Sequence, residues 1–316
     1  MTRSEYFDDL LEVLLDQDRE LNPAQLGELS DLDTAQLDQF EAAWHGTPEG
    51  RRQQIAKLLG ELSADNLELL FDRVNRVLLS DSSAQVRQQA IRNLWEDEHA
   101  SLGRRLVELA DLDPSETVRL EAVRALGRFV YLGEFDKLTR DTKTAIEEVL
   151  LNIMRDPPSP TMQRLALESL GYSTREELPE LIRRSYDSAD EELMRSALVA
   201  MGRSANSRWL DQVVDHLNDR SPRLRAAAAR AVGELLGRKS TSTLIELLDD
   251  ANDEVRQAAV WSLGQVGGDE ARDALLELQK HESGGIREQD IDQALDHIAF
   301  LEGTPNLTLF DFDIDE

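Results

Sequence analysis

Arginine recurs at one position of a repeated pattern, and a tryptophan takes that position in the sixth repeat. The side chains of this arginine stripe are Arg92, Arg124, Arg164, Arg195, Arg230 and Trp261. A guanidinium group binds a carboxylate through two parallel hydrogen bonds, and tryptophan is enriched among residues that dominate binding energy. The chemistry expected of this set is recognition of a protein partner through an acidic or mixed-charge surface or peptide.

Groups that catalyse reactions or bind metals are sparse in this sequence. The chain has no cysteine, which excludes disulfides and thiolate chemistry. The five histidines are His45, His99, His216, His281 and His297. They fall in separate segments without the spacing of metal ligands. We therefore predict no catalytic residue, no metal site and no cofactor.

The charge balance limits the classes of partner. Acidic residues number 63 against 35 basic ones, which gives a formal net charge of −28. Nucleic-acid binding depends on neutralising phosphates with basic groups, so this balance argues against it, as it does against anionic membranes. The first 20 residues are acidic and lack an export signal, and no apolar run reaches the roughly 20 residues of a membrane span. We expect a cytoplasmic protein.

A repeated unit organises most of the chain. Ala197, Ala228 and Ala259 lie 31 residues apart and are the centres of the clearest copies. Looser copies are centred on Ala90, Ala122 and Ala166, and a degenerate earlier one on Ile55. Apolar residues at −4, 0 and +4 about each centre form one stripe of an α-helix. A small central residue lets a neighbouring helix approach closely.

Polar side chains mark where these helices begin. Seven residues before the six clearer centres stand Ser83, Ser115, Ser159, Asp190, Ser221 and Asn252. Each can accept a hydrogen bond from the free N–H groups of a first helical turn. A second amphipathic segment precedes each cap, so every unit is predicted to be a helix hairpin. The longer spacing between Ala122 and Ala166 predicts an extended connection with a short helix near residues 128–141.

Residues 33–301 resemble HEAT repeats, particularly the bacterial HEAT-like subgroup also seen in phycobilisome lyases. The resemblance implies an all-α fold: a right-handed α-α superhelix, or HEAT/armadillo-type solenoid, of about six to seven helix hairpins. Residues 1–32 are then an acidic helical lead-in, and residues 302–316 are a C-terminal tail outside the solenoid. The last helix, near residues 286–301, is expected to cap the stack.

The same resemblance implies a structural ladder, in which an Asp between the two helices pairs with an Arg six residues later. The matching pairs are Asp81 with Arg87, Asp113 with Arg119, Asp219 with Arg225, and Asp250 with Arg256. Two units lack both members, with Pro157 and Gln163 in one and Ser188 and Met194 in the other. Joint loss of both partners favours a real pairing.

The repeat register predicts where a partner binds. Positions −2 and +2 point away from the core stripe, and in solenoids of this type the second helices line the concave wall. The arginine stripe occupies these positions, and Tyr172 and Met194 are predicted to add an adaptable surface. The alternative is that these arginines pair with glutamates, namely Glu96, Glu121, Glu168 and Glu192, as solvated surface charges.

The tail offers a second binding hypothesis. Phe310, Phe312 and Ile314 alternate with acidic residues, a pattern typical of short recognition segments. We expect this segment either to dock on the arginine stripe, in its own or a neighbouring molecule, or to be disordered.

These observations favour a non-catalytic protein-interaction scaffold or adaptor. One alternative is a bilin-lyase-like or chaperone-like accessory protein that acts on a cofactor-bearing protein, which the resemblance implies through repeat type alone. A nucleic-acid-binding module is a third alternative, disfavoured by charge. HEAT-fold deoxyhypusine hydroxylases carry several His-Glu motifs that hold iron, whereas this sequence has only His281-Glu282, which argues against that activity.

Overall fold

The computed structural model describes residues 3–16, 18–280 and 285–303. Within these ranges the chain forms helices and connecting turns and no β-strand. The predicted all-α, HEAT/armadillo-type fold is confirmed. The chain divides into two compact units, an N-terminal unit (Met1–Asp156) and a C-terminal unit (Pro157–Glu316). The predicted limits after residues 32 and 301 remain predictions.

The helices of the N-terminal unit range from four to 19 residues in length. They are α1 (Arg3–Leu15), α2 (Pro23–Leu26), α3 (Thr34–Gly46), α4 (Glu49–Asp65), α5 (Asp72–Leu78), α6 (Ala84–Asn93), α7 (Ala100–Leu112), α8 (Glu116–Glu134) and α9 (Arg140–Arg155). A 3-10 turn, Gly27–Leu29, follows α2. Helices α5 and α6 pack as a hairpin, as do α7 and α8, while α4, α6 and α8 lie side by side.

The expectation of a short helix near residues 128–141 is wrong. Helix α8 instead continues to Glu134, and α9 begins at Arg140 after a short connection. The physical reason is that Phe129, Val130 and Leu132 continue the buried pattern of α8, so added turns still bury apolar surface.

The C-terminal unit is the more regular of the two. Its helices are α10 (Pro160–Leu170), α11 (Leu178–Tyr186), α12 (Glu191–Arg203), α13 (Leu210–Asp215), α14 (Pro222–Glu234), α15 (Thr241–Glu246), α16 (Asp253–Val266), α17 (Asp269–Lys280) and α18 (Glu288–Gly303). Three 3-10 turns, Ser207–Trp209, Arg238–Ser240 and Leu247–Asp249, flank α13 and α15. The helices pack as the hairpins α11/α12, α13/α14, α15/α16 and α17/α18, and the second helices α10, α12, α14, α16 and α18 stack in sequence.

Glycines let the second helices of this unit pack closely. A Cβ added to Gly202, Gly233 or Gly264 would lie within 2.8–2.9 Å of a Cα atom on the next second helix. The facing residues are Ala231, Ser262 and Ala294. The central alanines Ala197, Ala228 and Ala259 are fully buried in the same layer. Small residues therefore determine the helix separation, as the repeat pattern predicts.

The six predicted cap residues all stand at helix starts, but only half of them cap with the side chain. Ser159, Asp190 and Asn252 accept hydrogen bonds from first-turn N–H groups. Ser83, Ser115 and Ser221 make no such bond. At these three starts the serine N–H instead donates to an aspartate two residues earlier. That aspartate orders the interhelix turn.

None of the described helices combines the length and the apolar character that crossing a membrane requires.

Candidate binding groove

A concave groove of ≈ 1050 Å³ lies along the second helices of the C-terminal unit. Helices α12, α14, α16 and α18 supply most of its wall. An ion pair joins Glu192 and Arg223 near the starts of α12 and α14, and Gly202 faces Ala231 near their ends. Two contacts at matching ends mean that these helices run parallel. Equivalent positions of successive repeats therefore lie next to one another across the groove.

The lining residues form four rows across the helices, and within each row the first three members are 31 residues apart. The rows are Glu192, Arg223, Glu254 and Arg287; Arg195, Ala226, Gln257 and Asp290; Val199, Arg230, Trp261 and Gln293; and Arg203, Glu234, Gln265 and His297. This arrangement follows from the repeat, because residues at −5, −2, +2 and +6 share one helix face. We call these four rows the binding groove.

The arginine stripe is divided between different surroundings. Arg195, Arg230 and Trp261 line the binding groove. Arg164, on α10, donates a hydrogen bond of 3.1 Å to Thr161 on the same helix. Arg92 and Arg124 lie on α6 and α8 of the N-terminal unit. The role of the stripe in binding stays a prediction.

Several stripe arginines form ion pairs with glutamates, as the alternative interpretation expected. Arg92 and Arg124 both reach Glu121, at 2.8 and 3.4 Å. Arg195 reaches Glu168 at 2.9 Å and Glu192 at 3.4 Å. Such pairs neutralise the stripe at these points. At these points the arginine stripe does not present an unpaired cation to a ligand.

Arg230 differs from Arg195, Arg223 and Arg287, the groove arginines that form ion pairs. Its guanidinium carbon lies 4.3 Å from the ring centroid of Trp261. Among the described residues, no carboxylate lies within ion-pair distance of it. The side chain is accessible but sits in a concave wall, and the loss of surrounding water lowers the pKa of Arg230. The result is a partly desolvated cation held against an aromatic face.

Glu234 and Arg203 lie beside this cation. Burial raises the pKa of Glu234, while the charges of Arg203 and Arg230 act in the opposite direction. Arg203 donates a hydrogen bond of 2.7 Å to the main-chain oxygen of Glu168 and stacks 5.1 Å over the ring centroid of Tyr172. This end of the groove thus holds two guanidinium groups and one carboxylate with a raised pKa. It can bind anionic groups.

The predicted adaptable surface comprises residues of two different elements. Tyr172 follows α10 and contacts Arg203, while Met194 lies on α12, and both side chains are half-buried. Met194 also occupies the position where other repeats have the ladder arginine. Adaptability at these two residues stays a prediction.

The ladder residues contact one another differently from the implied pairing. Arg87 donates through Nη1 to the main-chain oxygen of Asp81 at 2.6 Å, not to its carboxylate. Its Nε and Nη2 bind the carboxylate of Asp113, in the next repeat, at 2.7 and 2.8 Å. Arg87 therefore joins its own turn to the following one.

The other ladder arginines follow the same rule in part. Arg225 binds the main-chain oxygen of Asp219 at 2.8 Å and both carboxylate oxygens of Asp250 at 2.8 Å. Arg119 and Arg256 donate to the main-chain oxygens of Asp113 and Asp250, each at 2.7 Å. The sequence register identified these residues, whereas the link between repeats depends on how successive turns pack together.

Sequence reasoning missed an earlier member of the ladder. Arg52 lies 2.9 Å from the carboxylate of Asp81, which also accepts a hydrogen bond of 2.6 Å from Trp44. The signal was available, since Arg52 stands three residues before the degenerate centre Ile55, as Arg87 stands before Ala90.

Sequence reasoning also missed a hydrogen-bonded chain of three side chains in the C-terminal unit. His216 Nδ1 lies 3.0 Å from Asp219 Oδ2, and its Nε2 lies 2.9 Å from the hydroxyl of Tyr186. Because Met194 replaces the ladder arginine of the preceding repeat, the histidine supplies the side-chain donor to Asp219, whose carboxylate also accepts from the main-chain N–H of Ser221. Burial raises the pKa of Tyr186, which makes its hydroxyl a weak nucleophile.

The predicted tail residues Phe310, Phe312 and Ile314 lie outside the described residues. Within the described part of the chain, no group of three or more His, Asp or Glu side chains is arranged to hold a metal ion.

Solved structures with similar folds are distant in sequence. The complex of CpcE and CpcF of phycocyanin lyase from a Nostoc species is 18% identical over 72% of this chain and 95% of that one, with a TM-score of 0.49. YibA of Escherichia coli is 16% identical over 90% and 99% of the chains, with a TM-score of 0.42. Human deoxyhypusine hydroxylase is 15% identical over 94% and 97%, with a TM-score of 0.36.

Sequence comparison gives the assignment. No curated protein matches this chain. The family model described as HEAT repeats matches residues 72–142 and 210–296, together half of the chain. These segments contain hairpins of both units, with the caps and buried stripes described above. The chain therefore belongs to the HEAT-repeat family.

Proposed function

We propose that this chain is a non-catalytic protein-binding scaffold, and that its binding groove holds an extended segment of a partner protein. The HEAT-repeat fold supports a scaffold of the protein-interaction type. The observation that carries the proposal is the stacking of Arg230 on Trp261, because this arginine faces the groove without an ion-pair partner among the described residues.

The lining of the groove favours a particular ligand chemistry. A partly desolvated guanidinium that lacks a carboxylate partner can bind an incoming carboxylate, and such a charge-assisted bond contributes about 1.5–3 kcal/mol. Trp261 offers a ring face for an apolar or aromatic side chain, worth about 0.5–1.5 kcal/mol. A partner segment with both groups uses both. The small residues Ala226 and Ala258 leave room for it.

The groove suits binding better than bond-making chemistry. Its ionisable side chains are arginines, carboxylates and one histidine, and several of them form ion pairs, as Arg195 does with Glu168 and Arg287 with Asp290. Glu234, with its raised pKa, faces two cations rather than a nucleophile. These contacts support a recognition surface.

The test is quantitative capture with matched variants of the full chain. Arg230→Glu reverses the cation in the groove, and Arg238→Glu makes the same change at an exposed site in the turn before α15, outside the lining. Proteins captured from the source cells are compared by mass spectrometry. We expect a partner that Arg238→Glu retains and Arg230→Glu loses.

The identified partner is then measured against each variant by calorimetry. We expect Arg230→Glu to weaken binding at least about tenfold, an effect of about 1.4 kcal/mol. Trp261→Ala should weaken it similarly, while both proteins unfold at the same urea concentration as the parent. Equal affinities for the parent, Arg230→Glu and Trp261→Ala would refute the groove as the binding surface.

A further inference from the structure

The end of the binding groove that holds Arg203, Arg230 and Glu234 has an unusual combination of groups. Arg203 and Arg230 have no carboxylate ion-pair partner among the described residues, although other groove arginines do. Trp261 lies against Arg230, and Val199 and Ala258 add apolar surface. A ligand that combines carboxylates with apolar side chains matches this surface.

The chain itself contains such a segment. Leu309, Phe310, Phe312 and Ile314 alternate with acidic residues within residues 309–316. In an extended conformation successive side chains would point in opposite directions, with Phe310, Phe312 and Ile314 on one edge and Asp311, Asp313 and Asp315 on the other. These three carboxylates complement the two guanidinium groups.

The segment begins beside the groove. Helix α18 forms one wall through Asp290, Gln293, Ala294 and His297, and it ends at Gly303. Because the second helices run parallel, this end of α18 lies on the same side as Arg203 and Glu234, which are near the ends of α12 and α14.

The length of the segment is sufficient to cross the groove. Thirteen residues follow Gly303 in the sequence, and at about 3.3 Å per residue they span up to roughly 43 Å. Crossing from α18 to α12 takes three helix spacings of about 9 Å each, or roughly 27 Å. The aromatic residues fall in the second half of the segment, so they can reach Trp261 and Arg230.

From this complementarity we infer that residues 304–316 of this chain occupy its own binding groove, where they compete with the partner. The inference rests on the proposed function, since it names an occupant of the same surface. A partner segment must then displace the tail, and the partners that succeed carry the same alternation of acidic and apolar side chains.

The first experiment observes Trp261 in the full chain. Fluorotryptophan is incorporated, and the fluorine resonance of Trp261 is assigned with Trp261→Phe. The test variant combines Phe310→Ser with Phe312→Ser, and the matched control combines Asn306→Ala with Thr308→Ala. We expect the Trp261 resonance to shift in the test variant and to stay in place in the control. An unshifted resonance in the test variant overturns the inference.

The second experiment measures a synthetic peptide of residues 304–316 against two full chains. Its affinity for the test variant should exceed that for the parent at least about tenfold, because a tethered tail acts at an effective concentration in the millimolar range. Arg230→Ala in the test variant should weaken the peptide at least about fivefold, whereas Arg238→Ala should not. Equal affinity for both chains, or no binding to either, overturns the inference.

The two proposals fail separately in these experiments. A partner lost with Arg230→Glu, together with an unshifted Trp261 resonance, leaves the scaffold function standing and removes the tail from the groove. A Trp261 shift that grows with protein concentration assigns the tail to a second copy, which overturns occupancy by the same chain.

Discussion

Arg87 and Asp113 are joined by two hydrogen bonds, of 2.7 and 2.8 Å, although they belong to successive repeats. Their side chains are only 10% and 3% exposed. Burial alone would raise the pKa of Asp113, but hydrogen bonds from Arg87 and from the main chain of Ser115 outweigh it and lower this pKa. The carboxylate is therefore more stable as an anion in the folded protein.

Arg87→Ala should lower the free energy of unfolding by about 3 kcal/mol at neutral pH, because Asp113 is left buried without its cation. Urea unfolding measures the change. Arg105→Ala is the matched control, since the Arg105 and Glu108 pair is exposed and contributes less than about 1 kcal/mol. Equal effects of both substitutions would show that burial of the ladder adds nothing.

The contribution of this pair should depend on pH. The pKa of Asp113 is lowered by folding, so its stabilisation is complete above the unfolded value of about 4 and is lost as the pH falls through the lower folded value. The stability difference between the parent and Asp113→Asn should therefore shrink below about pH 4. A difference that stays constant in acid would contradict the assignment.

His216 should stabilise the rung that lacks an arginine. His216→Ala removes the donor to Asp219 and the contact with Tyr186, and should lower the free energy of unfolding by about 1–2 kcal/mol. His45→Ala, at an exposed position of α3, should change it by less than about 0.5 kcal/mol. Thermal unfolding of both variants tests this, and a loss no larger than that of the control would rule out a structural role.

Gly233 should tolerate no side chain, because a Cβ there would lie 2.9 Å from the Cα of Ser262. Gly233→Ala should cost about 1–3 kcal/mol, since backbone rather than a flexible side chain must move. Gly50→Ala is the control, because nothing lies within 4 Å of its added Cβ. That change in α4 should be neutral or stabilise by up to about 1 kcal/mol. An unchanged free energy of unfolding in Gly233→Ala would contradict this explanation.

Binding of an acidic segment should strengthen on mild acidification. Burial raises the pKa of Glu234, so protonation begins above the usual glutamate range and removes a negative charge from beside Arg230. Glu234→Gln should bind the tail peptide more tightly at neutral pH and lose this dependence. His297 also lines the groove, so His297→Gln is measured in parallel. A dependence that disappears only with His297→Gln assigns the effect to the histidine.

The sequence was sufficient for the fold because its signals are local and repeated. The spacing of 31 residues between Ala197, Ala228 and Ala259 gave the helices, and the polar residues before them gave the starts. Continuation of α8 was missed because the longer spacing was assigned to a connection, although Phe129 and Leu132 continued the buried pattern.

The candidate site was less predictable because it depends on contacts between repeats. The sequence placed Arg195 and Arg230 on the same helix face. It did not show that Glu168 neutralises Arg195 while Arg230 lies against Trp261. The carboxylates of Glu168 and Glu192 lie 27 and 31 residues from Arg195 and Arg223, so the packing of adjacent helices decides that these charges cancel. His216 escaped notice for the same reason, since its partners come from different turns.

The parallel second helices also determine how many residues of a bound chain separate its contacts with successive helices. Adjacent helices are spaced by about 9 Å, and an extended peptide advances about 3.3 Å per residue. An extended segment that crosses the helices therefore contacts a new helix at about every third residue. Each repeat would then recognise one ligand residue. Exchanging a single groove residue such as Trp261 would change the preference for that ligand residue and leave the preferences at the other positions unchanged.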